Sequence, residues 1–254
     1  MPVILGGNTG IYLASLSPVT PFTNQYSMLF DGVDEYAKGS STFSELDGGN
    51  KFTLSMWVKP TSFAAARILF HIPRNTTPNN SQLLLRLDTA GNLDFSIDTI
   101  SYYIRTLSVS LTLNVWNHIL VCVDLTNPTN SQKGRIYINS VDATSSVNIS
   151  SRTAFSTSTG AVWLGEEANG YLNPFLGNMD EVAIWTSDER ANVADIYNSG
   201  VPSDLSQLTT PPSHWWRMGD GDAFSTDWTF TDNAGSYNLA SVNMEVGDRV
   251  TDVP

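Results

Sequence analysis

The segment Phe52-Thr53-Leu54-Ser55-Met56-Trp57-Val58-Lys59 alternates in apolar character and is stopped by Pro60. Side chains of an extended chain point to opposite faces with a period of two, so this pattern specifies a strand with one face on a core. Similar pieces recur along the chain. Leu83–Leu87 is an apolar run with Arg86 inside it, and Ala90-Gly91-Asn92 is a turn leading to the alternating Leu93, Phe95 and Ile97, together a hairpin signal. Tyr102–Val109 reads as a further strand. Val115–Leu125 is apolar on both faces, which places it in the middle of a sheet covered on both sides. Arg135–Asn139, Ala161–Leu164 and Asp180–Trp185 complete the series. Many short strands separated by turn residues predict an all-β sandwich or barrel.

One helix interrupts this pattern, near residues 187–199. Thr186-Ser187-Asp188-Glu189 fits a capping box, Val193, Ile196 and Tyr197 follow at helical spacing, and Gly200 and Pro202 fit the end. The 254 residues suffice for one core without disulfides, and the single cysteine, Cys122, reads as a small buried residue. Acidic residues outnumber basic ones 25 to 13, for a net charge of −12. That balance repels nucleic acid and anionic lipid. No apolar run approaches the about 18 residues of a membrane span, and the first residues, interrupted by Gly6, Gly7 and Gly10, read as mature protein rather than a signal peptide.

Four segments in order resemble the laminin-G-like jelly rolls of the concanavalin A-like lectin/glucanase superfamily. They are Leu29-Phe30-Asp31-Gly32-Val33-Asp34-Glu35-Tyr36, Phe52–Pro60, Trp116-Asn117-His118-Ile119-Leu120-Val121 with Gly134–Asn139, and Leu176–Trp185. The resemblance implies two antiparallel sheets packed face to face, with the first and last strands adjacent. It predicts an extended N-terminal arm over 1–25, a sandwich over 26–204 and a C-terminal tail over 205–254. Trp57, Trp116 and Trp185 are expected to anchor the core between the sheets. The tail segments His214–Asp222 and Asp232–Leu239 are similar to a lead-in that usually precedes such a domain, so the tail either folds back to complete the sandwich or docks on a neighbouring subunit. With the ending Val246–Pro254, the pattern is also similar to structural proteins of marine tailed bacteriophages.

The same fold carries glycosidases, whose retaining members need two carboxylates about 5–5.5 Å apart. No Glu-x-Asp-x-Glu strand is present, and Asp180 and Glu181, being adjacent, are expected on opposite faces. The three histidines, His71, His118 and His214, are dispersed, so no enzyme is expected. Because the resemblance sets the opening and closing strands side by side, Asp31, Asp34 and Asp180 are candidate ligands for a structural calcium ion. Tyr102, Tyr103, Tyr171 and Trp228 are candidate stacking surfaces for a sugar. Val3, Ile4, Leu5, Ile11, Tyr12 and Leu13 need burial, either against a partner chain at a sheet edge or against their own domain.

The expected function is a non-enzymatic structural protein of a tailed-bacteriophage virion, a capsid decoration or head-fibre subunit assembled in the host cytoplasm and exposed on the particle. Its expected partners are other virion proteins such as the major capsid protein, further copies of itself and host-surface glycans. The alternative is a glycan-binding adhesion module of a tail fibre, or a secreted carbohydrate-binding protein.

Overall fold

A computed structural model describes residues 22–74, 77–149, 151–157, 160–168 and 174–254. Val3, Ile4, Leu5, Ile11, Tyr12, Leu13 and Tyr171 lie outside the described residues.

In chain order the strands are β1 (Ser27–Asp31), β2 (Tyr36–Gly39), β3 (Lys51–Pro60), β4 (Arg67–Arg74), β5 (Thr77–Leu87), β6 (Leu93–Ile97), β7 (Thr99–Arg105), β8 (Asn117–Asp124) and β9 (Gly134–Ile138). Next come β10 (Val141–Asp142), β11 (Ser146–Asn148), β12 (Trp163–Leu164) and β13 (Leu176–Trp185), then the helix α1 (Val193–Tyr197). The last strands are β14 (His214–Trp216), β15 (Ala223–Phe224), β16 (Trp228–Phe230), β17 (Leu239–Val242) and β18 (Arg249–Val250). They form two antiparallel sheets. One runs β10-β9-β8-β3-β13-β1-β18 with β14 also paired to β13, and the other β11-β7-β6-β5-β4-β12-β2-β17-β16-β15. This is the two-sheet jelly-roll sandwich with one short helix that the sequence predicts, and β1 and β13 are indeed neighbours.

The core between the sheets follows from the period of two. Along β3, Phe52, Leu54, Met56 and Val58 face inward, and Phe52 meets Phe70 and Phe95 of the opposite sheet. Each of these rings is wholly buried, worth about 1.5–3 kcal/mol apiece relative to exposure. The same period sends Trp57 the other way. It is buried on the outer face of the first sheet against His118 and Tyr197. Trp185 also lies on that outer face, in a smaller cluster with Leu120, Cys122, Ile196, Leu205 and Trp215. Trp116 is half-buried at an edge, its Nε1 donating to Asp252 Oδ1 at 3.1 Å. None of the three expected tryptophans therefore anchors the inter-sheet core; Trp216 and Trp228 do. The outer cluster does explain why β8 is apolar on both faces, since α1 and residues 205–208 cover it.

The helix is shorter than its sequence suggests. A 3-10 turn over Arg190–Asn192 leads into five α-helical residues, and Asn198 closes them in the left-handed region at φ 46°. Glu189 does not reach back to Thr186. It is buried, its carboxylate accepting from Ser187 Oγ and, at 2.6 Å, from Asn192 Nδ2, while its own N–H donates to Thr53 Oγ1. A side chain on β3 thus takes over the role expected of the capping box.

The tail completes both sheets of its own domain. Trp215 and Trp216 pair with Ala183 and Val182, Leu239–Val242 pairs with β2, and Arg249 and Val250 pair with Met28 and Ser27. Asp232 holds its turn. Its Oδ1 accepts from the N–H groups of Trp215, Ala234 and Gly235, and its Oδ2 from Tyr237 N. Gly235 is required there, because a Cβ would sit 2.7 Å from Asp232 Oδ2 and 2.8 Å from Ser213 O.

Candidate functional site

A bulge in β13 governs the acidic residues of the first sheet. Asp180 faces Trp57 and Ala183 faces Ser55, so two residues, Glu181 and Val182, oppose Met56 alone. Val182 turns inward, and Glu181, at φ 47°, joins Asp180 on the outer side. The expectation of opposite faces fails because the bulge breaks the alternation. Both carboxylates are buried beneath residues 22–26. Asn24 Nδ2 donates to Asp180 Oδ2 at 2.8 Å, Trp215 Nε1 donates to Glu181 Oε2 at 2.5 Å, and Arg217 Nε lies 3.1 Å from Glu181 Oε1. Burial, reinforced by the neighbouring acid, pushes Asp180 well above the usual carboxylate range. Burial likewise lifts Glu181 to about 7, against the lowering effect of Arg217. A third acid, Asp220, holds the same segment, its Oδ2 accepting from Gln25 N and Tyr26 N.

The three candidate calcium ligands are not brought together. Asp31 faces Leu176 in the β1–β13 ladder, whereas Asp180 lies one residue beyond the Met28–Met179 pair. Four residues of strand separate the two levels, about 13 Å. Asp31 and Asp34 are exposed, and Asp31 Oδ1 accepts from Val33 N in its own turn. Among the described residues, no three His, Cys, Asp or Glu side chains are grouped so as to hold a metal ion.

The histidines separate into two kinds. His118 Nε2 lies 2.8 Å from Ser55 Oγ on the adjacent strand, a Ser–His pair that their 63-residue separation conceals in the sequence. Burial drives His118 down to about 3, and the ring is wholly enclosed, so it is a core histidine rather than a base at a surface. His71, on the outer face of the second sheet, is lowered to about 4 by burial, with Ala168 N donating to its Nδ1. His214 belongs to the tail turn.

The candidate sugar-stacking residues also separate. Trp228 is 1% exposed, its Nε1 donating to Glu245 O at 2.8 Å, so it is core and presents no face to a ligand. The reason is its place in β16, whose partner β17 extends the second sheet and turns the ring inward. Tyr102 is half-buried against the core, with Ser151 Oγ donating to its hydroxyl. Tyr103, one residue on, faces outward beneath the Arg105 guanidinium, 3.8 Å from the ring centre.

On the side of Arg105, the second sheet carries an open cleft of about 410 Å³. Register builds it: Arg86 faces Asp94 across β5–β6, and Asp94 faces Arg105 across β6–β7. Arg86 Nη2 and Arg105 Nε both reach Asp94 Oδ2 at 2.8 Å. Leu107 and Ala66 give the cleft its accessible apolar lining, with Leu93 and Thr106 buried at its base, and Asp88 borders it, fixed by Ala90 N, Asn92 N and Asn92 Nδ2. The combination of guanidinium donors, carboxylate acceptors and an apolar wall suits a polyhydroxylated ligand. Further along the same face His71, Leu84 and Ser96 are buried, and beyond them Tyr36 stacks on Trp163 with Lys38 Nζ 5.1 Å from the Trp163 ring centre. The signal for the cleft in the sequence was Arg86 inside an otherwise apolar strand.

Residues 31–192 match the family described as the concanavalin A-like lectin/glucanases superfamily, and the chain belongs to it. The fold is shared with the heptameric SAP-like pentraxin of Limulus polyphemus, which is 17% identical, with a TM-score of 0.54 over 68% of this chain and 82% of that one. Domain 4 of AbnA, an extracellular arabinanase of Geobacillus stearothermophilus, in complex with arabinotriose, is 20% identical over 67% of this chain and 75% of that one, with a TM-score of 0.49. The CBM40 of the Ruminococcus gnavus IT-sialidase, bound to α2,3 sialyllactose, is 15% identical over 66% of this chain and 95% of that one, also with a TM-score of 0.49. No curated protein matches this chain.

Proposed function

We propose that this protein is a non-catalytic glycan-binding module whose ligand site is the cleft on the second sheet. The observation that carries the reading is the convergence of Arg86 and Arg105 on Asp94 in an open cleft of about 410 Å³. Membership of a lectin/glucanase superfamily supports it. The non-catalytic part is supported by the enclosure of the Asp180–Glu181 pair and of the Ser55–His118 pair, neither of which a substrate reaches without unfolding the cover. A glycan array probed with the labelled protein tests the reading. Binding that Arg105→Ala abolishes, with the circular dichroism spectrum of the folded protein retained, is expected; a blank array sinks it.

A second, compatible reading is that the module is displayed on a tailed-bacteriophage particle as a decoration or fibre subunit, in contact with the capsid protein or with further copies of itself. The specific observation in its favour is the chain's beginning: residues 1–25 carry Val3, Ile4, Leu5, Ile11, Tyr12 and Leu13 and no charged side chain, a composition that needs a surface to cover it. The tail is not the attachment segment in this reading, because its strands pair within the domain. Mass spectrometry of purified particles tests this; absence of the chain from virions rules it out.

A further inference from the structure

The geometry points to a saccharide bearing a carboxylate, a uronate or its equivalent, as the ligand class of the Arg86–Asp94–Arg105 cleft. This inference rests on the glycan-binding reading and narrows it.

Both guanidiniums contact the same oxygen, Asp94 Oδ2, at 2.8 Å, so one carboxylate oxygen serves two cations. The other oxygen, Oδ1, accepts from Ser96 Oγ at 3.4 Å. Each guanidinium carries five N–H donors in a planar fork, and among the described residues each gives one hydrogen bond to Asp94. Most of their donors are left for whatever fills the cleft. The side chains are 29% and 31% exposed, open to a ligand yet partly desolvated. Asp88, the second acid of the cleft, is engaged by three N–H groups of its own turn at 2.8–3.0 Å.

A neutral sugar hydroxyl would use these donors one at a time. A carboxylate takes two parallel N–H bonds from one fork, the geometry in which arginine outperforms lysine. Tyr103 stacked under Arg105 holds that fork in one plane, lowering the entropy lost on binding. The sugar ring beyond the carboxylate would then lie along Leu107, which is 61% exposed, and Ala66. The chain's net charge of −12 opposes a polyanion at long range, so the contact is short-ranged and depends on the cleft itself.

The test is calorimetric titration of the full chain with trigalacturonate and, separately, with maltotriose. Trigalacturonate is expected to bind at least about tenfold more tightly, and Arg105→Lys, which keeps the charge and loses the fork, is expected to weaken it by about tenfold. In the unaltered protein, the Nε–H resonances of Arg86 and Arg105 should shift on addition of trigalacturonate, which frees the test from any folding defect of the variant. Maltotriose binding as tightly as trigalacturonate overturns the inference and leaves the glycan reading standing. Shifts confined to residues outside the cleft also overturn it. Failure of both sugars together with a blank glycan array removes the inference and the reading alike.

Discussion

His214 Nδ1 lies 2.6 Å from Asp232 Oδ2 while His214 Nε2 lies 2.9 Å from Glu45 Oε2. Both ring nitrogens face carboxylates, so the charged imidazolium is the form this pocket favours. Burial alone would lower the histidine; the hydrogen bonds and charges of Asp232 and Glu45 outweigh it and raise it above 6.5. Burial also works against the Asp232 carboxylate, and His214 with the turn's N–H groups outweighs it, bringing Asp232 to about 2. The signs follow. A histidine raised on folding contributes stability that is complete below its unfolded value near 6.5 and is lost as pH rises through the folded one. An aspartate lowered on folding contributes stability that is present above about 4 and is lost as pH falls toward 2, on the order of 2 kcal/mol. The tail should therefore be held best between about pH 4 and 6.5. Proton NMR titration of His214 checks the assignment, and a midpoint below 6.5 would contradict it.

Asp180→Asn is expected to stabilise the protein at pH 8 and to change little at pH 4. A carboxylate whose folded pKa is raised contributes stability at low pH that disappears as pH rises, and Asp180 is such a group. The amide is a neutral isostere that still accepts from Glu181 N. With the Asn24 amide turned over, it donates to Asn24 Oδ1 in exchange for the bond that Asn24 Nδ2 now gives Asp180 Oδ2, so the number of hydrogen bonds is kept. Denaturant midpoints at the two pH values decide it; equal shifts at both would show that ionisation of Asp180 is not involved.

Trp228→Ala should lower stability by about 3–5 kcal/mol through the cavity it leaves, and sugar affinity at the cleft should survive in whatever fraction remains folded. The ring is 1% exposed and packs with Phe224 and Arg249. A selective loss of sugar binding with an unchanged denaturation midpoint would return Trp228 to the list of ligand contacts.

These outcomes track what the sequence could and could not carry. Phe52–Pro60 was legible because a strand half-buried on one core writes its period directly. Trp57 misled for the same reason: its size suggested the main core, while its position in the alternation assigned the opposite face, where His118 and Tyr197 supply a second apolar environment. Arg67–Arg74 carries no strand signal of its own because His71 and Pro73 interrupt its apolar run; register with Leu83–Leu87 fixes it. Asp180 and Glu181 were misassigned because a bulge is a local choice that a period cannot encode. Asp94 carries no signal in the sequence, since an acid in an alternating strand normally reads as solvent-facing. Only the pairing of three strands shows it between Arg86 and Arg105.

Cys122 should resist thiol reagents in the native protein at pH 8. The side chain lies on β8 beneath α1, and burial pushes its thiol up to about 12. Thiolate, the reacting species, is then scarce, and access is closed as well. Labelling with a disulfide reagent should proceed only at the rate of unfolding. Stoichiometric labelling within seconds, with the circular dichroism spectrum unchanged, would show that α1 lifts off β8 readily.

Asp94→Asn separates the structural from the recognition role of the arginine pair. In the native cleft Asp94, 7% exposed, competes with any anionic ligand for Arg86 Nη2 and Arg105 Nε. Asparagine keeps an acceptor oxygen and nearly the same shape but removes the charge, leaving the two partly buried guanidiniums with Asp88, near Arg86, as the remaining acid of the cleft. The free protein should lose about 1–3 kcal/mol of stability for the weakened charge-assisted bonds. Affinity for trigalacturonate should nonetheless rise several-fold, because the ligand's carboxylate now supplies the missing charge, and saturating ligand should restore the melting temperature more fully than in the parent. Paired thermal scans with and without the trisaccharide measure both effects. If the variant is destabilised and trigalacturonate gives it no greater rescue than it gives the parent, the guanidiniums serve the β5–β6–β7 ladder alone and the anionic ligand site lies elsewhere.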